Sequence, residues 1–368
     1  MATPDGPGRR RPRRGATIRD VALAAGVHPS TVSRSLDPGQ AGRVNEATRE
    51  RVLAAAASLG YEPDLVARSL RNQRTNTLGI IVPDLGNPLY AGLIRGLNNA
   101  LELRGYASLV NETTDDGGHL DRTLSLFGRR RVDAVVVGSA REHDRAALRH
   151  FARQGIPLVM AIRWIRGVNV PIVANDDRRG GALAAGHLLD LAHRRVAQLH
   201  GPGDIETFTE RGIGFHDTLA RDLGAGLDEM VIMGNAPTVA EGRRLMAELL
   251  GAGEPPTGVF AHNDLMAIGA IEALQLAGLR CPDDVSIIGY NNIPLVEHLD
   301  PPLSTISMPV TEVGRVAAET ALALVEGRPT ALRAPVAINL QPSLVARGST
   351  SAPRPTLAVQ VSRAGRRR

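Results

Sequence analysis

The chain has 368 residues, with 43 Lys+Arg against 38 Asp+Glu and a formal net charge of +5. It contains no lysine, so every basic residue is arginine; this excludes a P-loop lysine, a Schiff-base lysine and a pyridoxal-phosphate site. One cysteine, Cys281, excludes an internal disulfide and a cysteine metal cluster, and no cofactor or metal is expected.

The length implies two or three domains, and 43% hydrophobic residues fit a globular chain. The charge is unevenly spread. Residues 1–74 hold 13 Arg and 7 acids, residues 354–368 hold 5 Arg and no acid, and the stretch between has a net charge of −6. A basic, foldable N-terminal segment on an acidic body points to a polyanionic partner, most often nucleic acid.

Residues 1–15 form a Pro/Gly/Arg-rich arm without the apolar core of a secretory signal. No run of 18 apolar residues suggests a membrane span, so a cytoplasmic protein with no membrane partner is expected. Periodic sequence begins at Thr17, a good N-cap with Asp20 placed to complete a capping box. Ile18, Val21, Ala22 and Ala25 recur at helical spacing until Gly26 breaks the helix. Pro29 suits the first turn of a second helix, where Val32 and Leu36 share one face and Ser30, Thr31, Ser33 and Arg34 the other. A third helix is expected from near Asn45 to Leu59, ended by Gly60. Two short helices about a glycine turn make a helix-turn-helix.

Pro63 blocks continuation of the third helix, and Asp64 can cap a short new one over residues 64–70. A helix of about two turns is unstable alone and forms only when something orders it. From Leu78 onward, apolar runs such as Leu78–Val82, Ala134–Val137, Val196–His200 and Gly258–Ala261 alternate with helical patterns such as Tyr90–Arg104 and Asp264–Leu276. This alternation predicts parallel sheets with helices on both faces, and the series restarts near Val196, which suggests two lobes.

TIRDVALAAGVHPSTVSRSL and RVNEATRERVLAAAASLGYEPDLVARSL resemble the DNA-binding head and hinge of the lactose-repressor (LacI/GalR) family. LGIIVPDLGNPLYAGLIRGL, RRVDAVVV, HNDLMAIGAIEAL, CPDDVSIIGYNN, PPLSTI and LVARGS extend the resemblance over about residues 16–348, in the family's order. It implies an all-α helix-turn-helix head with a hinge helix, joined to an α/β two-lobed body like a periplasmic binding protein. The implied division is a disordered arm 1–15, a DNA-binding domain 16–62, a hinge and linker 63–76, a body 77–348 and a disordered basic tail 349–368. Within the body, lobe 1 would hold about 77–174 and 306–337, and lobe 2 about 176–304 and 338–348.

The resemblance also assigns roles. Pro29, Ser30 and Arg34 would read bases in the major groove, Arg34 with the fork that suits guanine, while Thr17, Thr31, Ser33 and Arg43 would steady phosphates. Paired hinge helices would enter the minor groove, Leu70 wedging a base step, Ala67 allowing close approach, and Arg68 and Arg71 contacting the backbone. An effector between the lobes would meet Leu89, Tyr90, Ile162, Trp164, Arg211, Ala236, Asn263 and Asn291. The implied partners are pseudo-palindromic double-stranded DNA, a sugar or sugar derivative, and a second copy of the chain.

The sequence departs from the family at several points. His28 stands where a serine cap is usual, so a weak or water-assisted cap is expected there, and the loop from Arg34 to Thr48 is longer by two residues. Ile162 and Asn291 replace common aspartates, and Ala236 replaces a stacking aromatic. With Arg211 present and two carboxylates gone, a modified or acidic sugar is expected. Trp164 suits boundary packing better than ligand stacking, Tyr290 suits the core, and Cys281 is expected to be inert. No catalytic constellation appears, so an enzyme is not expected; a solute-binding protein is the competing reading, but it needs a secretion signal and no helix-turn-helix. No leucine heptad follows residue 348, so a dimer and no heptad-built tetramer is expected.

Overall fold

The computed structural model describes residues 16–36, 42–61, 74–114, 118–327 and 337–354. The basic arm, the hinge residues Ala67, Arg68, Leu70 and Arg71, and the chain beyond residue 354 lie outside the described residues. Contacts divide the chain into two units, Met1–Thr75 and Asn76–Arg368.

In the first unit, α1 (Ile18–Ala25) starts on the expected capping box: the Thr17 hydroxyl accepts the Asp20 N–H, and Asp20 accepts the Thr17 N–H at 2.8 Å. Gly26 ends the helix at φ 65°, a left-handed conformation that glycine adopts without penalty. α2 (Pro29–Ser35) begins on Pro29. Its cap corrects the expectation for His28: Nδ1 accepts the Ser30 N–H at 3.2 Å and lies 2.8 Å from the Ser30 hydroxyl. An unprotonated ring nitrogen offers the same lone pair as a serine oxygen, so no water is needed. α3 (Glu46–Leu59) is capped by Asn45, whose Oδ1 accepts the Ala47 N–H at 2.9 Å. Val21, Val32 and Val52 are fully buried among Ala22, Ala25, Ala55 and Ala56, with Ile18, Val27, Leu36 and Tyr61 packed around them.

Among the described residues, the second unit contains two sheets of six strands. β1 (Thr77–Val82), β2 (Ala107–Glu112), β3 (Ala134–Val137), β4 (Leu158–Ala161), β5 (Ile172–Asn175) and β11 (Ala337–Leu340) are all parallel, in the order β11-β5-β4-β3-β1-β2. β6 (Arg195–His200), β7 (Asp228–Met233), β8 (Gly258–Ala261), β9 (Ser286–Asn291) and β10 (Ser304–Ser307) repeat the pattern, and β12 (Ser343–Val345) adds an antiparallel edge. Strands buried along their whole length, such as AVVV in β3 and GVFA in β8, are what a sheet covered on both faces requires. The helices are α4 (Pro88–Glu102), α5 (His119–Arg130), α6 (Arg145–Ala152) and α11 (Val310–Val325) in lobe 1, and α7 (Asp177–Asp190), α8 (Glu206–Leu223), α9 (Val239–Gly251) and α10 (Asp264–Leu276) in lobe 2.

The chain crosses between sheets after Asn175, between Ser307 and Val310, and between Leu340 and Ser343. Two expected boundaries therefore move: residues 304–307 pair with β9 in lobe 2, and residues 337–340 pair with β5 in lobe 1. Residues 349–354 correct the expected tail as well. Ser349 is fully buried, its hydroxyl donating to the Ile287 carbonyl at 2.6 Å and accepting the Ser304 N–H at 2.8 Å. His187 and His193 reach Thr350 and the Ser351 carbonyl, and Arg354 pairs with Asp283 and Asp284. Cys281 leans its thiol on the Ser349 carbonyl, and burial pushes that thiol up to about 12, so it stays protonated.

α7 and α8 touch backbone to backbone. A Cβ on Gly214 would lie 1.8 Å from the Arg178 carbonyl oxygen, and one on Gly181 would lie 1.9 Å from that of Arg211. Since no flexible side chain can yield there, Gly214→Ala is expected to force the helices apart and cost about 1–3 kcal/mol, read as a lower urea midpoint of the body's unfolding transition. An unchanged midpoint would show that this crossing relaxes freely.

Candidate functional site

Two regions gather polar residues without a structural task. The first is the outer face of α2. Ser30 and Arg34 are exposed, and Pro29, Thr31 and Ser33 are partly so. Val32 and Ser35 turn inward. Ser30 is steadied by His28, whereas Arg34 and Arg43 make no hydrogen bond or ion pair with the described residues. Thr17 is committed to its capping box. A short helix with an unengaged guanidinium facing outward fits a phosphate-lined groove, because a guanidinium donates to phosphate and base oxygens alike.

The second region is where the lobes meet. Each sheet has the doubly wound strand order, with switch points between β1 and β3 and between β6 and β8. Ligands of such sheets bind beyond the carboxyl ends of the strands at these points. Those ends approach each other here. Arg141, after β3, grips Asp204, after β6, through Nε and Nη2 at 2.8 and 2.7 Å, and this guanidinium holds the Asp204 carboxyl below its usual range. Arg166 of lobe 1 reaches Glu206 and Glu210 of α8 at 2.6 and 2.8 Å. A cleft of about 280 Å³ lies between the lobes, lined by Asp84, Tyr90, Glu112 and Arg163 on one side and by Ala236, Pro237 and Thr238 on the other.

Four buried polar atoms at these strand ends lack a partner among the described residues: Ser139 Oγ after β3, Asn175 Oδ1 in β5, His262 Nδ1 after β8 and Asn291 Oδ1 in β9. Backbone strain marks the same places. Ile162, just after β4, has φ 64°, unfavourable for a β-branched residue, and Asn291 has φ 114°. Such strain persists only where the surroundings impose it, and it collects at functional sites. At Asn291 the restraint is Asp264, which accepts from the Ile293 N–H at 2.8 Å and the Thr305 hydroxyl at 2.6 Å.

The expected effector residues fare unevenly. Tyr90 and Ala236 line the cleft, and with alanine at 236 no aromatic face comes from that side. Leu89 is buried in the core. Trp164 is half-buried, with the Arg166 guanidinium 5.6 Å from its ring centre, beside a recess of about 200 Å³ shared with Asn175 and Asp177. Asn263 uses both ends of its amide: Oδ1 accepts the Met266 N–H at 2.7 Å to cap α10, and Nδ2 donates to the Pro237 carbonyl at 3.0 Å, which pins the cleft wall.

Arg211 corrects the argument for an acidic ligand. It is 3% exposed, and its Nε meets Asp177 Oδ1 at 2.8 Å. A second nitrogen donates to the His262 carbonyl at 2.5 Å, and the guanidinium carbon lies 3.6 Å from the Tyr290 ring centre. Its charge is already matched within the protein, so it is not a spare cation. Tyr290 is fully buried, as expected, but it also joins the lobes: its hydroxyl accepts from Asn175 Nδ2 at 2.6 Å. Asn175 and Asp177, which line the recess beside Trp164, and the buried Ser139 and His262 were not singled out from sequence. Their signal was the polar residue that closes or follows an apolar strand run, in VVVGS, IVANDD and FAHN.

Among the described residues, no group of three or more His, Cys, Asp and Glu could hold a metal, and no helix is long and apolar enough to cross a membrane. Residues 17–64 match the family described as bacterial regulatory proteins, lacI family, and residues 185–350 match a periplasmic binding protein-like domain. The chain is 34% identical to the HTH-type transcriptional regulator DegA of Bacillus subtilis (strain 168), covering 91% of this chain and 98% of that protein. It is 33% identical to the HTH-type transcriptional repressor CytR of Escherichia coli (strain K12), covering 82% and 87%. Among solved structures, the lac repressor dimer bound to operator and an anti-inducer superposes with a TM-score of 0.80 at 25% identity, over 92% of this chain and all of that one. A CelR–cellobiose complex gives 0.67 at 31% identity, over 91% and 99%.

Proposed function

Since the chain belongs to the lacI family of bacterial regulatory proteins and is a DNA-binding transcriptional regulator, we propose that it is a cytoplasmic homodimeric repressor without catalytic activity, released or recruited by a carbohydrate-like effector held between its lobes. The observation that carries this reading is the junction of the lobes, where polar atoms without a partner among the described residues and strained backbone lie at the carboxyl ends of strands in both sheets. The CelR complex with cellobiose and the lac repressor complex with operator support it by likeness.

In this reading Pro29, Ser30 and Arg34 face base edges, with Thr17, Thr31, Ser33 and Arg43 on phosphates. Leu70 of each hinge wedges the central step beside Ala67, Arg68 and Arg71. Tyr90, Ile162, Ala236 and Asn291 bound the effector, with Leu89, Trp164, Arg211 and Asn263 holding the walls. Effector binding alters lobe closure and so the inter-lobe ion pairs of Arg141 and Arg166. Any ligand that prefers one lobe arrangement must change DNA affinity if that affinity also depends on the arrangement.

The test is binding of the full chain to its own upstream DNA, by fluorescence anisotropy with and without saccharides. Leu70→Ala is expected to weaken specific binding by on the order of tenfold or more while leaving non-specific binding little changed, because only the kinked specific complex uses the wedge. Equal loss on both DNAs contradicts the wedge, and failure to bind any upstream site contradicts the regulator reading.

A further inference from the structure

Resting on the reading of the outer face of α2 as the part that meets base edges, we propose that His28 decides what Ser30 reads. It takes the serine's hydroxyl proton, so that Ser30 enters the major groove as an acceptor and selects a base pair by its exocyclic amino group.

Two contacts fix the protons. The Ser30 N–H points at His28 Nδ1 over 3.2 Å, and Ser30 Oγ lies 2.8 Å from the same nitrogen. A proton on Nδ1 would face the amide proton head-on, so Nδ1 is bare and the neutral ring carries its proton on Nε2. A bare nitrogen and a hydroxyl oxygen this close repel unless the hydroxyl proton lies between them, so Ser30 donates to His28. The backbone holds this arrangement: the His28 carbonyl accepts the Thr31 and Val32 N–H groups at 2.8 and 3.3 Å, and Val32 is anchored in the core of the head. Ser30 is exposed, and its hydroxyl makes no other hydrogen bond with the described residues. Only its lone pairs remain for a partner.

A free serine hydroxyl serves either polarity and therefore discriminates poorly among base edges. With its proton committed, Ser30 fits the amino donors at cytosine N4 and adenine N6, and is repelled by guanine O6, thymine O4 and purine N7. Arg34, four residues further along the helix, offers donors only. The two side chains therefore ask for opposite chemistry, and Pro29 between them and the turn brings no polar group. His28 acts through Ser30 and is a positioning residue, while Ser30 is the one that touches the base.

Base analogues test this on the full chain and its own upstream site, by fluorescence anisotropy. Ser30→Ala is expected to relax preference at one base pair of each half-site. At that pair, deleting the amino group, with purine for adenine or 2-pyrimidinone for cytosine, should weaken the parent protein about three- to tenfold more than the Ser30→Ala variant. Deleting the acceptor with a 7-deazapurine should affect the two alike. A larger penalty for the lost acceptor overturns the proposal, as does a Ser30→Ala variant with unchanged preference. His28→Ala should erase the parent's selective response to amino deletion. His28→Asn should restore it, because the amide oxygen accepts the same N–H and the same hydroxyl. Restored operator binding in His28→Asn without the selective response would leave His28 as a helix cap alone and overturn its part. The free protein gives a reading that needs no DNA. In full-length chain with nitrogen-15 histidine, His28 assigned from the His28→Asn spectrum should show a bare Nδ1 near neutral pH; a proton on Nδ1 overturns the inference even where the operator binds. Absence of any specific upstream site sinks the regulator reading, and this use of Ser30 with it, while the labelled spectrum keeps its bare Nδ1, so the two failures are distinguishable.

Discussion

Replacing Asp177 with alanine is expected to cost the body about 3–5 kcal/mol of folding stability. The carboxylate and the Arg211 guanidinium are 4% and 3% exposed and meet at 2.8 Å. Burial pushes the Asp177 carboxyl above its usual range, while the Arg211 charge and the Tyr290 hydroxyl draw it back down. Truncating Asp177 leaves a guanidinium out of water with no directly paired carboxylate, and deprives the Tyr290 hydroxyl of its acceptor. Most of the loss comes from that stranded charge rather than from the pair's net worth, and this makes a second prediction within the first. The double variant Asp177→Leu with Arg211→Met removes both charges at similar volume and should recover most of the stability. Urea titrations of the four species, read on the body's transition alone, give the coupling by a double-mutant cycle. Losses that simply add would mean that solvent reaches the pair and that the burial described here is wrong.

Much of this architecture could be read from sequence, and the reasons are local. Capping chemistry is encoded within four residues, so Thr17 with Asp20, and Asn45 with Gly60, mark helix ends without tertiary information. Apolar runs such as those of β1, β3 and β8 are legible because a strand buried on both faces has no polar position to interrupt it. The short strands β10 and β11 carry no such run, and the boundaries at residues 304–307 and 337–340 depend on which sheet accepts the hydrogen bonds.

The site was half legible for the same reason. Tyr90, Ala236 and Asn291 follow from motif position, but the state of Arg211 does not. Whether an arginine is spare or satisfied is decided by Asp177, 34 residues away, once α7 and α8 touch. The buried His262 likewise meets Gln198, and Gln198 meets Glu229, from three strands that become neighbours only in the folded sheet. His28 differs: substitution of the usual cap residue suggested a weak or water-assisted cap, yet the ring nitrogen accepts the Ser30 N–H directly.

Arg34→Ala is expected to weaken binding to the cognate operator by about 5- to 150-fold and to relax preference at one base pair in each half-site. The argument begins with what Arg34 lacks. Most arginines of the body are engaged, among them Arg141, Arg166, Arg211, Arg244 and Arg315. Arg34 is exposed on a helix whose inner face is fixed by Val32 and Ser35, and no described acid holds it. A guanidinium kept free on a rigid element suits guanine, whose O6 and N7 match its two parallel donors. Loss of a base contact and loss of a phosphate contact differ in how they respond to sequence and to salt. A base-reading Arg34 changes the ratio of cognate to mutated operator at every salt concentration. A phosphate-binding Arg34 lowers both affinities together and flattens the salt dependence by about one counterion. Deleting residues 1–14, which hold five arginines and one acid, provides the internal contrast: it should flatten the salt dependence and leave the base preference intact. Anisotropy titrations of the three proteins on cognate and single-substituted operators, at several salt concentrations, separate the cases. If the Arg34 variant behaves like the arm deletion, the base contact belongs to another residue on the face of α2.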